Sequence, residues 1–319
     1  EIHWRDWSSD VCSSDLGKPR QFVHAVDGVG FEIARGRTLA LVGESGCGKS
    51  TVARLLVGLY GPTRGVVRFD GQDIHKVMAS PGARALHRRM QMIFQDPYAS
   101  LNPRWKVLDI VAEPLREHGL VQGKAAVEAR VAELLQSVGL AAADAQKFPH
   151  QFSGGQRQRI SIARALATQP EFLVCDEPTS ALDVSVQAQI LNLMKELQAE
   201  FGLTYLFISH DMSVVRHMSD RIAVMYLGRI VEEGETEALF AQPRHPYTQL
   251  LLNTIPNIAQ PHRDRVVAGG EVPSPLKPPS GCPFHPRCPI ATARCSAELP
   301  AVRTLSNGTR VACHLAEDD

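Results

Sequence analysis

The sequence predicts an α/β fold with a largely parallel sheet, on three observations. From His24 onward, short apolar runs of strand length alternate with segments of helical period. The first of these runs, Thr38–Val42, passes straight into a glycine-rich turn and then a helical pattern over Lys49–Leu59. A later buried run, Phe172–Cys175, ends on two adjacent carboxylates, Asp176 and Glu177.

The other elements follow in order. Val66–Phe69, closed by Asp70-Gly71, reads as a hairpin strand, and Met90–Phe94 as another strand. Ala125–Val138 sets Val127, Val131, Leu134, Leu135 and Val138 on one helical face, and Gly139 stops it. Val186–Phe201 is amphipathic through Ile190, Met194, Leu197 and Phe201. Tyr205–Ser209 and Ile222–Tyr226 are strands, the second turning at Leu227-Gly228 into Ile230–Glu232. After about Pro256 the composition changes. Seven prolines fall between Pro273 and Pro289, so regular structure is not expected over 270–290 and a pinned loop module is, within a loop-rich extension over 256–319. No internal repeat is visible.

Composition narrows the function. A chain of 319 residues makes one large domain or two, and 44% hydrophobic content excludes disorder of the whole. Its 34 basic and 34 acidic residues cancel, leaving no electrostatic footprint for a long polyanion, so nucleic acid is not an expected partner. The longest apolar runs, near Leu203–Ser209 and Ile222–Leu227, fall well short of the roughly 18 residues of a bilayer crossing. A membrane would be met through a partner. Residues 1–16, EIHWRDWSSDVCSSDL, have no initiator Met, no periodicity and a repeated Ser-Ser-Asp. They read as a non-native segment, with a natural polar tail as the plainer alternative, and Cys12 is set aside with them. No charged start with an apolar centre suggests secretion, so the cysteines point to a reducing compartment.

The turn Gly43-Glu44-Ser45-Gly46-Cys47-Gly48-Lys49-Ser50-Thr51 matches G-x-x-x-x-G-K-[ST] between a predicted strand and a predicted helix. Its glycines let backbone N–H groups turn inward around phosphate oxygens, and the helix start adds its positive dipole end. Lys49 would reach the β- and γ-phosphates, and the Ser50 hydroxyl would ligate Mg²⁺. A structural glycine turn is the plain alternative. Asp176 suits the Mg²⁺ shell, and Glu177 can polarise a water for in-line attack on the γ-phosphorus. Alone, that pair would also read as a helix cap, since Pro178-Thr179 follows.

With these motifs, Phe152-Ser153-Gly154-Gly155-Gln156 resembles the signature of ATP-binding-cassette ATPases. Gln95 in Phe94-Gln95-Asp96-Pro97 resembles their Q-loop, Ser180-Ala-Leu-Asp183 their D-loop, and His210 in Ile208-Ser209-His210-Asp211 their switch histidine. The motifs stand in family order across about residues 22–240. The resemblance implies a P-loop cassette over 17–255: a RecA-like core, a β-subdomain and a helical signature subdomain at about 96–165. It also implies two cassettes facing head to tail, so that ATP on Lys49 of one meets Ser153-Gly154-Gly155 of the other. Gln95 would touch Mg²⁺ and the interface to a membrane partner, and His210 would contact the γ-phosphate. The family stacks adenine on an aromatic before the first core strand, for which Phe22 is the nearby candidate.

Further stretches resemble the peptide-importer branch: Gln91-Met-Ile-Phe-Gln-Asp-Pro-Tyr-Ala-Ser-Leu-Asn-Pro-Arg104, His245-Pro-Tyr-Thr248 and Pro278-Pro-Ser-Gly-Cys-Pro-Phe-His-Pro-Arg-Cys-Pro289. The Ala-Ser-Leu-Asn-Pro-Arg form is more like the second, F-type ATPase of a heterodimeric pair. What this implies is an ATPase on the cytoplasmic face of the membrane, peripheral, joined to two transmembrane permease subunits and a second cassette. An extracytoplasmic solute-binding protein would take part indirectly. Related importers carry nickel, glutathione or other small solutes, an alternative cargo. DNA-repair cassettes insert a long coiled coil between Q-loop and signature, whereas Gln95 and Ser153 lie only 58 positions apart.

Cys282, Cys288, Cys295 and Cys313 are spaced x5, x6 and x17. Zinc sites favour x2 to x4 between paired ligands, so the spacing suits zinc poorly. Four thiolates in a loop-rich segment can hold a [4Fe–4S] cluster, and the resemblance implies one. Zinc with His285 or His314, and unligated packed thiols, stay open.

Overall fold

The computed structural model describes residues 23–255 and 270–318. The segment 1–16 and Phe22 lie outside the described residues. Ten strands are described: β1 Thr38–Val42, β2 Arg68–Phe69, β3 Gln72–Asp73, β4 Met90–Ile93, β5 Phe172–Asp176, β6 Thr204–Ser209, β7 Arg221–Tyr226, β8 Arg229–Glu235, β9 Arg303–Thr304 and β10 Arg310–Val311. Eight of them form one sheet in the order β4-β5-β6-β1-β7-β8-β10-β9. The first five run parallel, and β8, β10 and β9 continue antiparallel. β2 and β3 make the small hairpin expected around Asp70-Gly71.

Both faces of the parallel part are covered, which is why its strands read as unbroken apolar runs. Along β6, Leu206 and Ile208 point to one side, where they pack with Leu39, Leu41, Val174 and the helix Lys49–Leu56. Tyr205 and Phe207 point to the other side, into a core shared with the helices Val107–Glu117, Lys124–Ser137, Gly154–Leu166 and Val184–Phe201. Three of these helices sit between β4 and β5 and make up the expected helical insertion. Val107–Glu117 buries Val107, Ile110, Val111 and Leu115 on one face although Pro114 lies inside it. That proline hid the helix from a periodicity reading. Among the described residues, no helix is long and apolar enough to cross a membrane.

The tail departs from expectation. β9 and β10 are short but belong to the main sheet, with Arg310 opposite Glu233 and Val311 opposite Glu232. Arg310 ties this register by donating from Nη1 to the Glu233 carboxylate at 2.8 Å, and Val311 is fully buried. A third hydrophobic cluster joins Ala40, Val42, Val224 and Tyr226 to Tyr247 and Phe284. Cys282, Phe284 and Cys295 therefore share a core with the cassette's sheet, while Leu305, Val311, Cys313 and Ala316 form a small cluster of their own.

Candidate active site

β5, β6 and β1 are neighbours, and register sets Asp176 beside Ile208 and Val42 beside Ser209. The loop after β1, the acidic pair closing β5 and His210 after β6 therefore emerge together at the carboxyl edge of the parallel strands. That edge is where open α/β sheets bind ligands. An open cleft of about 1120 Å³ lies there, lined by Ser45, Gly46, Gly48, Lys49, Ser50, Thr51, Gln95, Glu177 and His210.

Close backbone contacts require glycine at Gly43 and Gly48. Gly48 has φ +108°, and a Cβ on it would stand 2.1 Å from the Ala25 carbonyl oxygen. Lys49 is only 5% exposed, and its Nζ donates to the carbonyls of Gly43 at 2.7 Å and Glu44 at 3.0 Å. Cys47 is buried beneath the loop, and burial raises its thiol pKa.

Ser50 and Asp176, the residues expected to hold Mg²⁺, lie in contact. Ser50 Oγ donates to Asp176 Oδ1 at 3.1 Å. Burial pushes the Asp176 carboxyl above its usual range, the Ser50 hydrogen bond opposes this, and the Glu177 charge adds to it. A buried carboxylate beside a hydroxyl is a hard-oxygen donor set of the kind Mg²⁺ takes. Glu177 sits in the left-handed region at φ +46°, its N–H held by the Ile208 carbonyl at 3.1 Å. A non-glycine residue in that region marks local strain, which often accompanies function. The turn aims one carboxylate oxygen into the cleft, where Glu177 Oε2 accepts from Gln95 Nε2 at 3.0 Å and stands 3.3 Å from His210 Nδ1.

Ser153, Gly154, Gly155 and Gln156 do not line this cleft. They open the helix Gly154–Leu166 through a reciprocal cap. Ser153 Oγ accepts the Gln156 N–H at 3.3 Å, and Gln156 Oε1 accepts the Ser153 N–H at 3.0 Å. Gly155 lies against the helix Val184–Phe201, where a Cβ would come within 2.3 Å of Val186 Cγ1. Gly155→Ala should therefore lower stability by about 1–3 kcal/mol, and Val186→Ala should recover most of that. Thermal unfolding of the single and double variants checks the pair.

Several cleft residues escaped the sequence reading. Arg54, Tyr60 and Pro275 line the same cleft. Arg54 and Tyr60 share a hydrogen bond at 3.1 Å, six positions apart, while Pro275 arrives from the tail with no local signal.

The structure does not bear out the expected iron–sulfur or zinc centre. Among the described residues, no group of three or more His, Cys, Asp or Glu side chains is placed to hold a metal ion. Cys282 and Cys295 are buried in the aromatic cluster with Cys288 packed against it, whereas Cys313 belongs to a separate patch with Leu305, Val311 and Ala316. Burial first, with Cys313, Cys295 and Cys288 adding, pushes the Cys282 thiol up to about 11, so the four thiols lie within electrostatic reach of one another. Cys295 Sγ lies 3.4 Å from Thr292 Oγ1, and Cys313 Sγ accepts the Leu315 N–H at 3.4 Å.

Comparison with known proteins agrees with this geometry. The family described as ABC transporter matches residues 26–180, and that described as oligopeptide/dipeptide transporter, C-terminal region, matches 231–295. The putative oligopeptide transport ATP-binding protein YkfD of Bacillus subtilis is 53% identical, covering 94% of this chain and 92% of that protein. The dipeptide transport ATP-binding protein DppF of Escherichia coli is 48% identical, covering 94% and 90%. A solved ATP-binding cassette, in a dimeric post-hydrolysis state bound to ADP and Pi, superposes with a TM-score of 0.64 at 28% identity. It spans 74% of this chain and 99% of its own. The chain belongs to the ABC transporter family, as an ATP-binding cassette of its oligopeptide/dipeptide branch.

Proposed function

We propose that this chain hydrolyses ATP to drive import of di- and oligopeptides through a membrane permease, working as a peripheral subunit on the cytoplasmic face. One observation carries the reading. Gln95, His210 and Glu177 converge on one carboxylate oxygen in the cleft that Lys49 floors.

In this reading Lys49, itself buried, exchanges its two loop carbonyls for the β- and γ-phosphates of ATP, holding charge against charge. Ser50 and Asp176 hold Mg²⁺, which when bound neutralises charge developing on the transferred phosphoryl group. Glu177 Oε2 takes the proton of the attacking water, and His210 Nδ1 keeps that water and the γ-phosphate aligned. Gln95 shares Oε2 with both, so its position reports on the site and can be set by a partner that moves the loop after β4. Ser153, Gly154 and Gly155 present a helix N-terminus to the nucleotide of a second cassette. A heterodimeric second ATPase, two permease subunits and an extracytoplasmic solute receptor complete the assembly, and the cargo is chosen by those subunits.

His210→Ala should lower kcat by about 100-fold while KM for ATP moves only a few-fold, since alignment rather than affinity is lost. Steady-state phosphate release measures it. For the function itself, the complete complex in proteoliposomes should take up a labelled dipeptide only with ATP, and uptake should stop with Glu177→Gln. ATP-independent uptake, or none above a permease-free control, would contradict the proposal.

A further inference from the structure

The region matched as the oligopeptide/dipeptide C-terminal part grips the phosphate-binding loop at one residue from two sides. Tyr247, on the helix Pro246–Asn253, accepts the Glu44 N–H on its hydroxyl oxygen at 2.8 Å. Arg287, in the turn His285–Arg287, donates from both terminal nitrogens to the two oxygens of the Glu44 carboxylate, at 2.7 and 2.9 Å. Both anchors are inside the protein, the Arg287 side chain 7% exposed and Tyr247 fully buried. They are also fixed to one another. The rings of Tyr226, Tyr247 and Phe284 pack with centroids 4.7 to 5.3 Å apart, and the Tyr226 hydroxyl oxygen accepts from Arg287 at 3.4 Å. A further contact lies at the cleft itself, where the Pro275 carbonyl accepts the His24 N–H at 3.4 Å and Pro275 forms part of the wall.

The position of Glu44 makes these contacts consequential. Its carbonyl is one of the two on which Lys49 Nζ rests, and the next residue, Ser45, already lines the cleft. A carboxylate beside a triphosphate opposes it, and the Glu44 side chain is only 27% exposed, so water screens that opposition incompletely. A two-pronged guanidinium pair is a geometry that both cancels the charge and fixes the carboxylate. The electrostatic part and the geometric part come from the same C-terminal region.

We propose that Arg287 and Tyr247 are positioning residues of the nucleotide site. Arg287 neutralises Glu44 and, with Tyr247, holds the peptide that seats Lys49, so ATP affinity is set in part by a segment 243 positions downstream of the loop. The inference rests on the reading of the cleft as the ATP site. It gives the C-terminal region a task within the cassette: any event that shifts the turn at Arg287 changes the affinity for ATP.

The test titrates the full chain with a fluorescent ATP analogue and Mg²⁺, using wild type, Arg287→Met, Arg287→Met with Glu44→Gln, and Tyr247→Phe. Arg287→Met should weaken binding about tenfold, the effect of one lost charge-assisted contact, more strongly at low salt. KM should rise in step while kcat stays within about twofold. Adding Glu44→Gln should restore affinity to within about threefold of wild type, because the unpaired charge is then gone. A purely structural role predicts instead that the thermal midpoint and kcat fall and recover together with affinity. Affinity within twofold of wild type for Arg287→Met, or equal weakness in the double variant, overturns the proposal. Should Arg287→Met not fold, Tyr247→Phe carries the test, with binding expected to weaken at a temperature well below a thermal midpoint lowered by only a few degrees, and unchanged binding overturning it. A wild-type chain that fails to bind the analogue would instead overturn the reading of the cleft.

Discussion

Glu177→Gln is expected to bind Mg-ATP with near wild-type affinity and to lose turnover by about 10²- to 10⁴-fold, the usual contribution of a positioned general base. The substitution is nearly isosteric, and both residues are equally constrained at φ +46°, so the strained turn after β5 should be unaffected. An amide still offers an oxygen to Gln95 Nε2, now 3.0 Å from Glu177 Oε2, but has no lone pair basic enough to take the proton of the attacking water. With hydrolysis blocked, nucleotide stays between the loop of one cassette and the signature of its partner, so a dimer should accumulate with ATP. Phosphate release and size-exclusion chromatography report both effects. Turnover within a few-fold of wild type would show that another group does the chemistry.

Lys49→Ala should weaken Mg-ATP binding by about 100-fold or more and abolish hydrolysis at millimolar ATP. The side chain supplies a buried ammonium whose hydrogen bonds are charge-assisted and whose loss costs several kcal/mol. Its two carbonyl acceptors on Gly43 and Glu44 would be left without this donor, so a thermal midpoint lower by a few degrees is expected as well. Titration with a fluorescent ATP analogue separates the two effects, since affinity should fall far more than stability. Binding within a few-fold of wild type would mean that the phosphates sit elsewhere.

The strands and the phosphate loop were legible because their physics is local. A strand covered on both faces must be apolar throughout, and a loop that wraps phosphate needs glycines at fixed offsets before its lysine. Elements whose signal is short or mixed were not legible. The helix Val107–Glu117 carries Pro114, Met212–Met218 is only two turns long, and β9 and β10 have two residues each. Long-range contacts leave no trace in spacing at all. Tyr247 and Arg287 both stood in stretches that resemble the peptide-importer branch, yet nothing local tied them to Glu44. The cysteine tail shows the converse limit. Four thiols within 32 positions suggested a metal centre, whereas no metal-holding group is found among the described residues.

The most direct test of the central claim is the composition of the native assembly. The tagged chain, drawn from native membranes in mild detergent and analysed by mass spectrometry, should bring with it two multi-span permease subunits and a second cassette ATPase. Recovery with ribosomal or DNA-repair proteins, and no permease, would contradict peptide import and leave an ATPase working elsewhere in the cell.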